Sequence, residues 1–415
     1  MNTPNKRRME TVLKIPDMPD IRLRNARPED MRRIQVLYAE VYGANYPMTI
    51  ISDKLKMRRA IESDRYYWLV AECQGRPLTA PGASGTQGRI VGSLIYELDP
   101  AQRISKAFGA VVSRDYRKQN LANTMMDIIL REITGVAEAA DTVYATTRTV
   151  TVAPQQLTEN LGFVKLGIFP NAHKVYEHET HCLAAYFVPG SLKTRKSPPV
   201  LCREIEPFYR IVQKQLDLEK PVLKTRSEIT RTGRGQSSDP PLLNFEAISA
   251  PAFVKKRFAK TINSGLFKNT WVPFNEPNLL LITPDQSTEV YLSYGAQDRY
   301  SVITGGKTII NDSSLILKSI AKTLNDMGVG YIEFLVDAYS PELQNHALNA
   351  RFLPSAYFPS FRKVGGKRWD YIVFSRSFEM LDFRNVRLTS LYRNVLKEYM
   401  KLWQSLYIEQ AFRND

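Results

Sequence analysis

The chain has 415 residues, 43% of them hydrophobic and 24% charged, an ordinary globular composition that excludes a collagen-like, coiled-coil or wholly disordered chain. Lys and Arg outnumber Asp and Glu by 57 to 42, a formal net charge of +15; this favours polyanions such as nucleic acid, acidic lipid or a phosphorylated ligand without choosing among them. Three cysteines (Cys73, Cys182, Cys202) lack CxxC spacing, four histidines leave little material for a zinc enzyme, and no apolar run reaches the ~20 residues of a membrane helix.

The N-terminal stretch has early basic residues with no apolar segment behind them, so no secretion signal is expected, and the expected compartment is a reducing cytoplasm. After a polar tail over 1–19, alternation predicts a strand at Ile21–Ala26. Apolar residues at helical spacing through Met31, Ile34, Val36, Leu37 and Val41 predict a helix, and 49–63 a second one. Tyr66–Cys73 reads as a buried strand, Gly75–Gly88 as a loop, and Arg89–Leu98 with Lys106–Val112 as the arms of a hairpin. A helix over 120–138, a strand at Val143–Thr147, a short helix at Pro154–Leu161 and strands near 163–169 and 181–188 follow. The order implies one sheet of mixed pairing, an α/β fold of the α+β kind. A basic connector (190–200), an amphipathic helix (200–216) and a polar Pro/Gly/Ser-rich linker (218–241) come next.

Shifting the chain by 189 places Gln155 on Gln344, Asn160 on Asn349, Phe163 on Phe352, Phe169-Pro170 on Phe358-Pro359 and Lys174-Val175 on Lys363-Val364. A shift of 183 places FYRIVQKQ (208–215) on LYRNVLKE (391–398). Helix 311–327 and strand 331–336 occupy the same order as their first-half counterparts, so an internal duplication is expected, with the paired phenylalanines in equivalent core positions. The expected organisation is a flexible tail (1–19), an N-terminal domain (20–190), a connector helix and linker (191–243) and a C-terminal domain (244–415).

Chemistry concentrates between Ala107 and Met126, where a strand ends at Val112 and a short loop leads into a helix near Asn120. A helix start presents unpaired N–H groups and the positive end of the dipole, a ready place for a phosphate. Arg114, Arg117 and Lys118 add positive charge, Asn120 tolerates left-handed backbone and Ala122 is small.

This stretch resembles the cofactor motif of the GNAT acetyltransferase superfamily. There, a strand ending in Val is followed by x-Pro-x-x-Arg-Gly-x-Gly-Leu/Ile-Gly/Ala and a helix. Here it reads Val112-Ser-Arg-Asp-Tyr-Arg117-Lys118-Gln119-Asn120-Leu121-Ala122, with Lys118 and Asn120 at the glycines and Arg114 at the proline. A second signature, Leu-Gly-Phe after a short helix, is matched by Leu161-Gly162-Phe163. The resemblance covers roughly 20–190 and, through the repeat, 244–380 more weakly. It implies two tandem acyl-CoA N-acyltransferase (GNAT) folds, with acetyl-CoA or a longer acyl-CoA as co-substrate bound by Val112, Arg117, Lys118, Gln119, Asn120, Leu121 and Ala122. It implies no metal, and a small-molecule or peptide amine as acceptor. The second half has Val302-Ile-Thr-Gly-Gly-Lys-Thr where the motif would stand, so the cofactor and an open gap between the fourth and fifth strands are expected in the first half only.

The family often places a Tyr general acid where this chain has Thr158. Tyr176, His178 and His181, on the segment 171–181 that would line the acceptor side, are the acid/base candidates. Glu72, Glu97 and Asp99 lie on or near central strands and read as solvated carboxylates rather than bases. His178-Glu-Thr-His181 lacks the HExxH spacing of a zinc helix. Tyr66-Tyr67-Trp68 and Tyr357-Phe358 read as core aromatics, and the basic runs 193–196 and 226–234 as solvated linkers rather than nucleic-acid arms. The rival from another class is a non-catalytic regulatory protein that keeps the fold and senses CoA or another nucleotide.

Overall fold

The computed structural model describes residues 9–16, 19–43, 48–73, 88–174, 177–230, 240–263 and 272–412. The expected loop from Gly75 lies almost wholly outside the described residues, as does Tyr176.

In chain order the first half holds β1 (Glu10–Leu13), β2 (Ile21–Asn25), α1 (Met31–Tyr42), α2 (Thr49–Ser52), α3 (Lys54–Glu62), β3 (Tyr66–Cys73), β4 (Arg89–Asp99), β5 (Ile104–Val112), α4 (Leu121–Arg131), β6 (Thr142–Arg148), α5 (Ala153–Asn160), β7 (Val164–Lys174), β8 (His178–Phe187), β9 (Val200–Cys202) and α6 (Glu206–Leu216). The second holds β10 (Val222–Lys224), α7 (Arg226–Thr230), β11 (Glu246–Ile248), α8 (Pro251–Asn263), β12 (Leu279–Ile282), β13 (Thr288–Gly295), β14 (Tyr300–Thr308), α9 (Ser313–Asp326), β15 (Tyr331–Asp337), α10 (Pro341–Asn349), β16 (Leu353–Val364), β17 (Lys367–Ser377) and α11 (Ser390–Tyr407). The chain packs into two compact units that are interleaved in sequence. The first comprises 1–146, 157–163 and 185–188; the second comprises 147–156, 164–184 and 189–415.

In the first unit the strands run in the order β1-β2-β3-β4-β5-β6. All pairs are antiparallel except β5 with β6. One sheet face is covered by α1 to α3, whose Ile34, Leu37, Tyr38, Met57 and Ile61 bury against Trp68, Val70, Ile90, Ile95 and Val111. Helix α4 lies on β3, β4 and β5. A Cβ at Gly92 would meet Met125 Sδ at 2.9 Å, so the glycine lets this helix come close to the sheet. Glu72 is sequestered: Arg24 and Arg33 donate to its carboxylate at 2.9 and 2.8 Å. Although burial pushes its pKa up, these two guanidinium groups hold it down at about 2. Glu97 accepts from Tyr66 Oη at 2.8 Å and Arg65 at 3.1 Å.

In the second unit the order is β8-β7-β16-β17-β15-β14-β13-β12-β11. Strand β14 pairs with β15 in parallel, and β7 meets β16 antiparallel through the pair Gly167 and Ala356. These two residues are equated by the 189-residue shift. A Cβ at Gly167 would stand 2.2 Å from Ser355 O and 2.3 Å from Ala356 Cβ, so only glycine permits this approach. Strands β11 to β15 neighbour one another in the order in which β2 to β6 do, and each series ends on its parallel pair. Phe163, Phe352, Phe169 and Phe358 are all buried.

The structure departs from the sequence reading at several places. The tail contains β1, paired along its length with β2; its four residues are mostly exposed, so no apolar alternation marks it. The helix expected over 49–63 breaks at Asp53, whose carboxylate accepts from the N–H groups of Leu55 and Lys56 and starts α3. The helix expected over 120–138 ends at Arg131 and widens into a single looser turn over Glu132–Val136. Residues 200–202 form a strand, parallel to β10, and α6 begins only at Glu206 with Pro207 in its first turn. The gap between parallel strands is not confined to the first half: β14 pairs with β15 only over Tyr300–Val302, then continues to Thr308 paired with β13.

Candidate functional site

The first element of the site is the divergence of β5 from β6. Their pairing covers Ile104–Ala107 against Thr142–Ala145 and stops, while β5 stays on β4 as far as Val112 opposite Gly92. Beyond the stop, the Tyr38 hydroxyl donates to Gly109 O and the Tyr42 hydroxyl to Ala110 O at 3.2 Å. Backbone carbonyls that have lost a strand partner need another, and α1 supplies it.

The loop after Val112 is anchored at two buried points. Ser113 is fully buried; its N–H donates to Val91 O at 2.8 Å and its hydroxyl to Glu40 at 2.8 Å. Arg89 donates to the same Glu40 at 2.7 Å. Burial raises the Glu40 pKa, but these Ser113 and Arg89 hydrogen bonds outweigh it and hold the carboxyl below its ordinary range. Tyr116, also buried, donates to Cys73 Sγ at 3.1 Å. Between and beyond these anchors Arg114, Arg117, Lys118, Gln119 and Asn120 are exposed, and Leu121 buries its side chain again.

The backbone of this loop answers the question that Lys118 and Asn120 pose. Both adopt left-handed φ, +63° and +57°, the region glycine enters without cost and other residues enter under strain. The two residues standing at the motif's glycines therefore keep a glycine's backbone. Asn120 is the N-cap of α4 and makes no side-chain capping bond. The first bond across the helix start runs from the Thr124 N–H to Asn120 O at 3.0 Å, so the N–H groups of Leu121, Ala122 and Asn123 precede the ladder. Arg117 Nε donates to Val112 O at 3.3 Å from an exposed position. The corresponding helix of the second half is closed: the Asp312 carboxylate caps α9 by accepting from Ser314 N–H and Leu315 N–H at 2.9 and 3.2 Å. A self-capped start that carries its own negative charge repels a phosphate.

Thr158 is buried within α5, and its carbonyl accepts from the Phe163 N–H at 3.0 Å as the chain turns at Gly162. His178 and His181 lie on β8 rather than in a loop, and three-residue spacing along a strand sends them to opposite faces. His178 packs against Gly330, where a Cβ would come within 3.1 Å of its ring, and stands 3.7 Å from Glu379. Burial pushes its pKa below the ordinary value. His181 shares a face with Glu179, 3.8 Å away and outside hydrogen-bonding distance. Burial pushes His181 down to about 4, so the ring is neutral at pH 7 and poorly matched to either an acid or a base role there. Burial raises Glu179, but His181 and the two Arg148 contacts at 2.7 and 2.5 Å lower it to about 2. Neither ring nitrogen of His178 or of His181 has a hydrogen-bond partner. His173 was not among the sequence candidates: it stacks on Tyr300 and bonds Asp298 at 2.9 Å. Among the described residues no group of three or more His, Cys, Asp and Glu is placed to hold a metal ion, and no helix is long and apolar enough to cross a membrane.

No protein-family model and no curated protein matches the chain. Solved structures do. The chain is similar to Arabidopsis thaliana NAA60 in complex with a bisubstrate analogue, at 14% identity and TM-score 0.34 over 41% of this chain and 99% of that one. It is similar to the ribosomal-protein-S5-alanine acetyltransferase from Vibrio fischeri, at 10% identity and TM-score 0.35 over 43% and 98%. It is also similar to an acetyltransferase of the GNAT family from Streptococcus pneumoniae, at 17% identity and TM-score 0.34 over 40% and 99%.

Proposed function

We propose that the chain is an acyl-CoA-dependent N-acyltransferase that moves an acyl group, acetyl in the simplest case, to an amine. The N-terminal half, 20–190, binds the co-substrate; the C-terminal half, 244–415, is a second copy of the same fold that does not. The observation that carries this reading is the loop from Val112 to Ala122. Two non-glycine residues hold glycine-like backbone there, beside a cationic Arg117, at the uncapped start of α4 and at the end of a strand that has parted from its neighbour. Backbone strain of about 1–3 kcal/mol per residue persists where the surroundings demand it, and a pyrophosphate cradle is such a demand.

In the reaction, β5 near Val112 offers backbone N–H to the thioester carbonyl. A neutral amine attacks, and the thiolate leaves. Thr158 is too weak an acid to protonate it; of the sequence candidates Tyr176, His178 and His181, the two histidines are held neutral by burial, which leaves that step to Tyr176 or solvent. Thr158 also supports the second reading, a CoA-sensing regulator without turnover.

CoA binding decides first between these readings and a chain with no cofactor. A ligand that binds only the folded state stabilises it by RT ln(1 + [L]/Kd), about 2.7 kcal/mol at a hundred times Kd. Thermal unfolding with increasing CoA is expected to move upward, and Arg117→Glu to remove the shift with the ligand-free midpoint unchanged, since Arg117 is exposed. An unmoved midpoint at millimolar CoA rejects the cradle. A shift without acyl transfer to any amine favours the regulator.

A further inference from the structure

Helix α1 braces the exit of β5 at successive points. The hydroxyls of Tyr38 and Tyr42 donate to Gly109 O and Ala110 O, and Glu40, between them in sequence, accepts from the Ser113 hydroxyl at 2.8 Å. Arg89, which opens β4, closes this last contact. It donates to Glu40 Oε2 at 2.7 Å and to Ser113 Oγ at 3.1 Å, and its Nη1 stands 3.6 Å from Asp115. Ser113 is fully buried, whereas the side chains of Glu40 and Arg89 are 32% and 30% exposed.

A carboxylate is the wrong sign for this place. Burial raises the Glu40 pKa, but the Ser113 and Arg89 hydrogen bonds outweigh it, so the group is ionised at neutral pH. A negative charge beside a loop that takes a pyrophosphate opposes binding by its field alone. Nor does the pair with Arg89 matter much to the fold, since a solvent-accessible ion pair contributes about 0–1 kcal/mol. What the network fixes is a position. Hydrogen bonds from α1 and β4 hold the residue at which β5 becomes the loop. The loop then passes through left-handed Lys118 and Asn120, each under a strain of about 1–3 kcal/mol. A loop free at one end relaxes such strain; a loop held at Ser113 and again at Tyr116 and Leu121 keeps it.

We propose that Glu40 is a positioning residue for CoA: by holding Ser113, with Arg89 offsetting the charge it brings, it presets the loop whose N–H groups take the pyrophosphate. This rests on the acyl-CoA reading above. Glu40 does not touch the cofactor in this scheme. It acts through Ser113 and lowers the ordering cost of binding.

The test uses the full-length chain and CoA, with no acceptor. Titration calorimetry reads affinity, and amide hydrogen exchange reads the order of 114–122 in the ligand-free chain. Glu40→Ala is expected to weaken CoA about tenfold and to speed exchange over 114–122. Exchange at the start of α9 and the ligand-free thermal midpoint should stay as in the wild type. Glu40→Gln keeps an oxygen for the Ser113 hydroxyl, so it should bind CoA within about threefold of the wild type. Ser113→Ala should match Glu40→Ala, and the double variant should be no worse than either, because one contact is lost once. If the Glu40 charge acted only through its field, both Glu40 variants would bind CoA more tightly, and that result overturns the positioning role. Unchanged affinity in Glu40→Ala, or additive losses in the double variant, overturn it as well. A wild-type chain that does not bind CoA fails at the cofactor reading instead. Exchange over 114–122 then reports the Glu40 contact by itself, and unchanged exchange in Glu40→Ala overturns the brace there too.

Discussion

His181 shows how one residue ties burial to pH. Its ring nitrogens make no hydrogen bond, and burial lowers its pKa from 6.5 to about 4. Glu179 and Arg148 on one side and His173 on the other face it, and they leave it neutral in the fold. Below pH 6.5 the unfolded chain takes up a proton that the folded chain refuses. Stability on this account is complete above 6.5, falls as the pH drops toward about 4, and levels off below. The full effect is no more than about 3 kcal/mol, at 1.4 kcal/mol per pKa unit. His181→Phe keeps a ring against His173 and abandons no hydrogen bond, so it should flatten the dependence of the urea midpoint on pH within that window by one proton's slope. An unchanged slope would mean that His181 is protonated in the folded chain. Lys118 and Asn120 illustrate a different lesson at the same scale. Their side chains argue against a phosphate loop, while their backbone keeps the conformation such a loop needs. Residue type was legible and φ was not, because φ there is imposed by the anchors at Ser113 and Tyr116 and by the start of α4.

Among the elements, the helices before β7 and β16 carry a matched pair of clamps. Gln155 on α5 accepts from the Thr389 N–H at 3.0 Å and donates to Arg387 O at 2.7 Å. Gln344 on α10 accepts from the Cys202 N–H at 2.9 Å and donates to Val200 O at 3.0 Å. Both glutamines are fully buried. Each holds the extended segment leading into the last helix of the other half, α11 or α6, and both those helices pack on β7 and β16. Replacing either by Leu strands two backbone groups, at about 1–3 kcal/mol for a buried one; the Cys202 N–H is buried, whereas Arg387 is exposed and Thr389 half-buried. Gln344→Leu should therefore destabilise by about 3 kcal/mol, and Gln155→Leu by less, in urea unfolding. A neutral result for one would show that its segment is held by other contacts. The 189-residue shift placed Gln155 on Gln344, so the pair was visible in the sequence, but their partners, more than 140 residues away, were not. The same distance in sequence hid His173 and Asp298, which are 125 residues apart. The helices and interior strands read in the first half were legible because burial on one face imposes periodicity. Strand β1 escaped because pairing alone, with no apolar pattern, makes it a strand, and β9, though apolar and buried, because three residues are too few to show a period.

For the whole molecule, the two halves of the chain can be compared at the strand pairs and helix starts where an anion could settle. Both have a parallel strand pair that parts after a few residues, β5 from β6 and β14 from β15, followed by a helix. A strand gap is therefore common to both and cannot select the half that binds a cofactor. The helix starts differ. Helix α4 begins with no side-chain cap, after a left-handed turn flanked by Arg114, Arg117 and Lys118, whereas α9 begins under the Asp312 carboxylate. A phosphate at α4 gains the dipole and free N–H donors. At α9 it would have to displace a carboxylate from those donors and bear its repulsion. On the proposed reading the +15 of the chain is a background, and the helix start decides where an anionic cofactor would settle. The expected stoichiometry by titration calorimetry is one CoA per chain, falling to none in Arg117→Glu. Asp312→Asn, which keeps a capping oxygen and removes its charge, should leave the count at one. A wild-type count of two, or a second site appearing in Asp312→Asn, would show that the second half keeps a cradle which this carboxylate only guards.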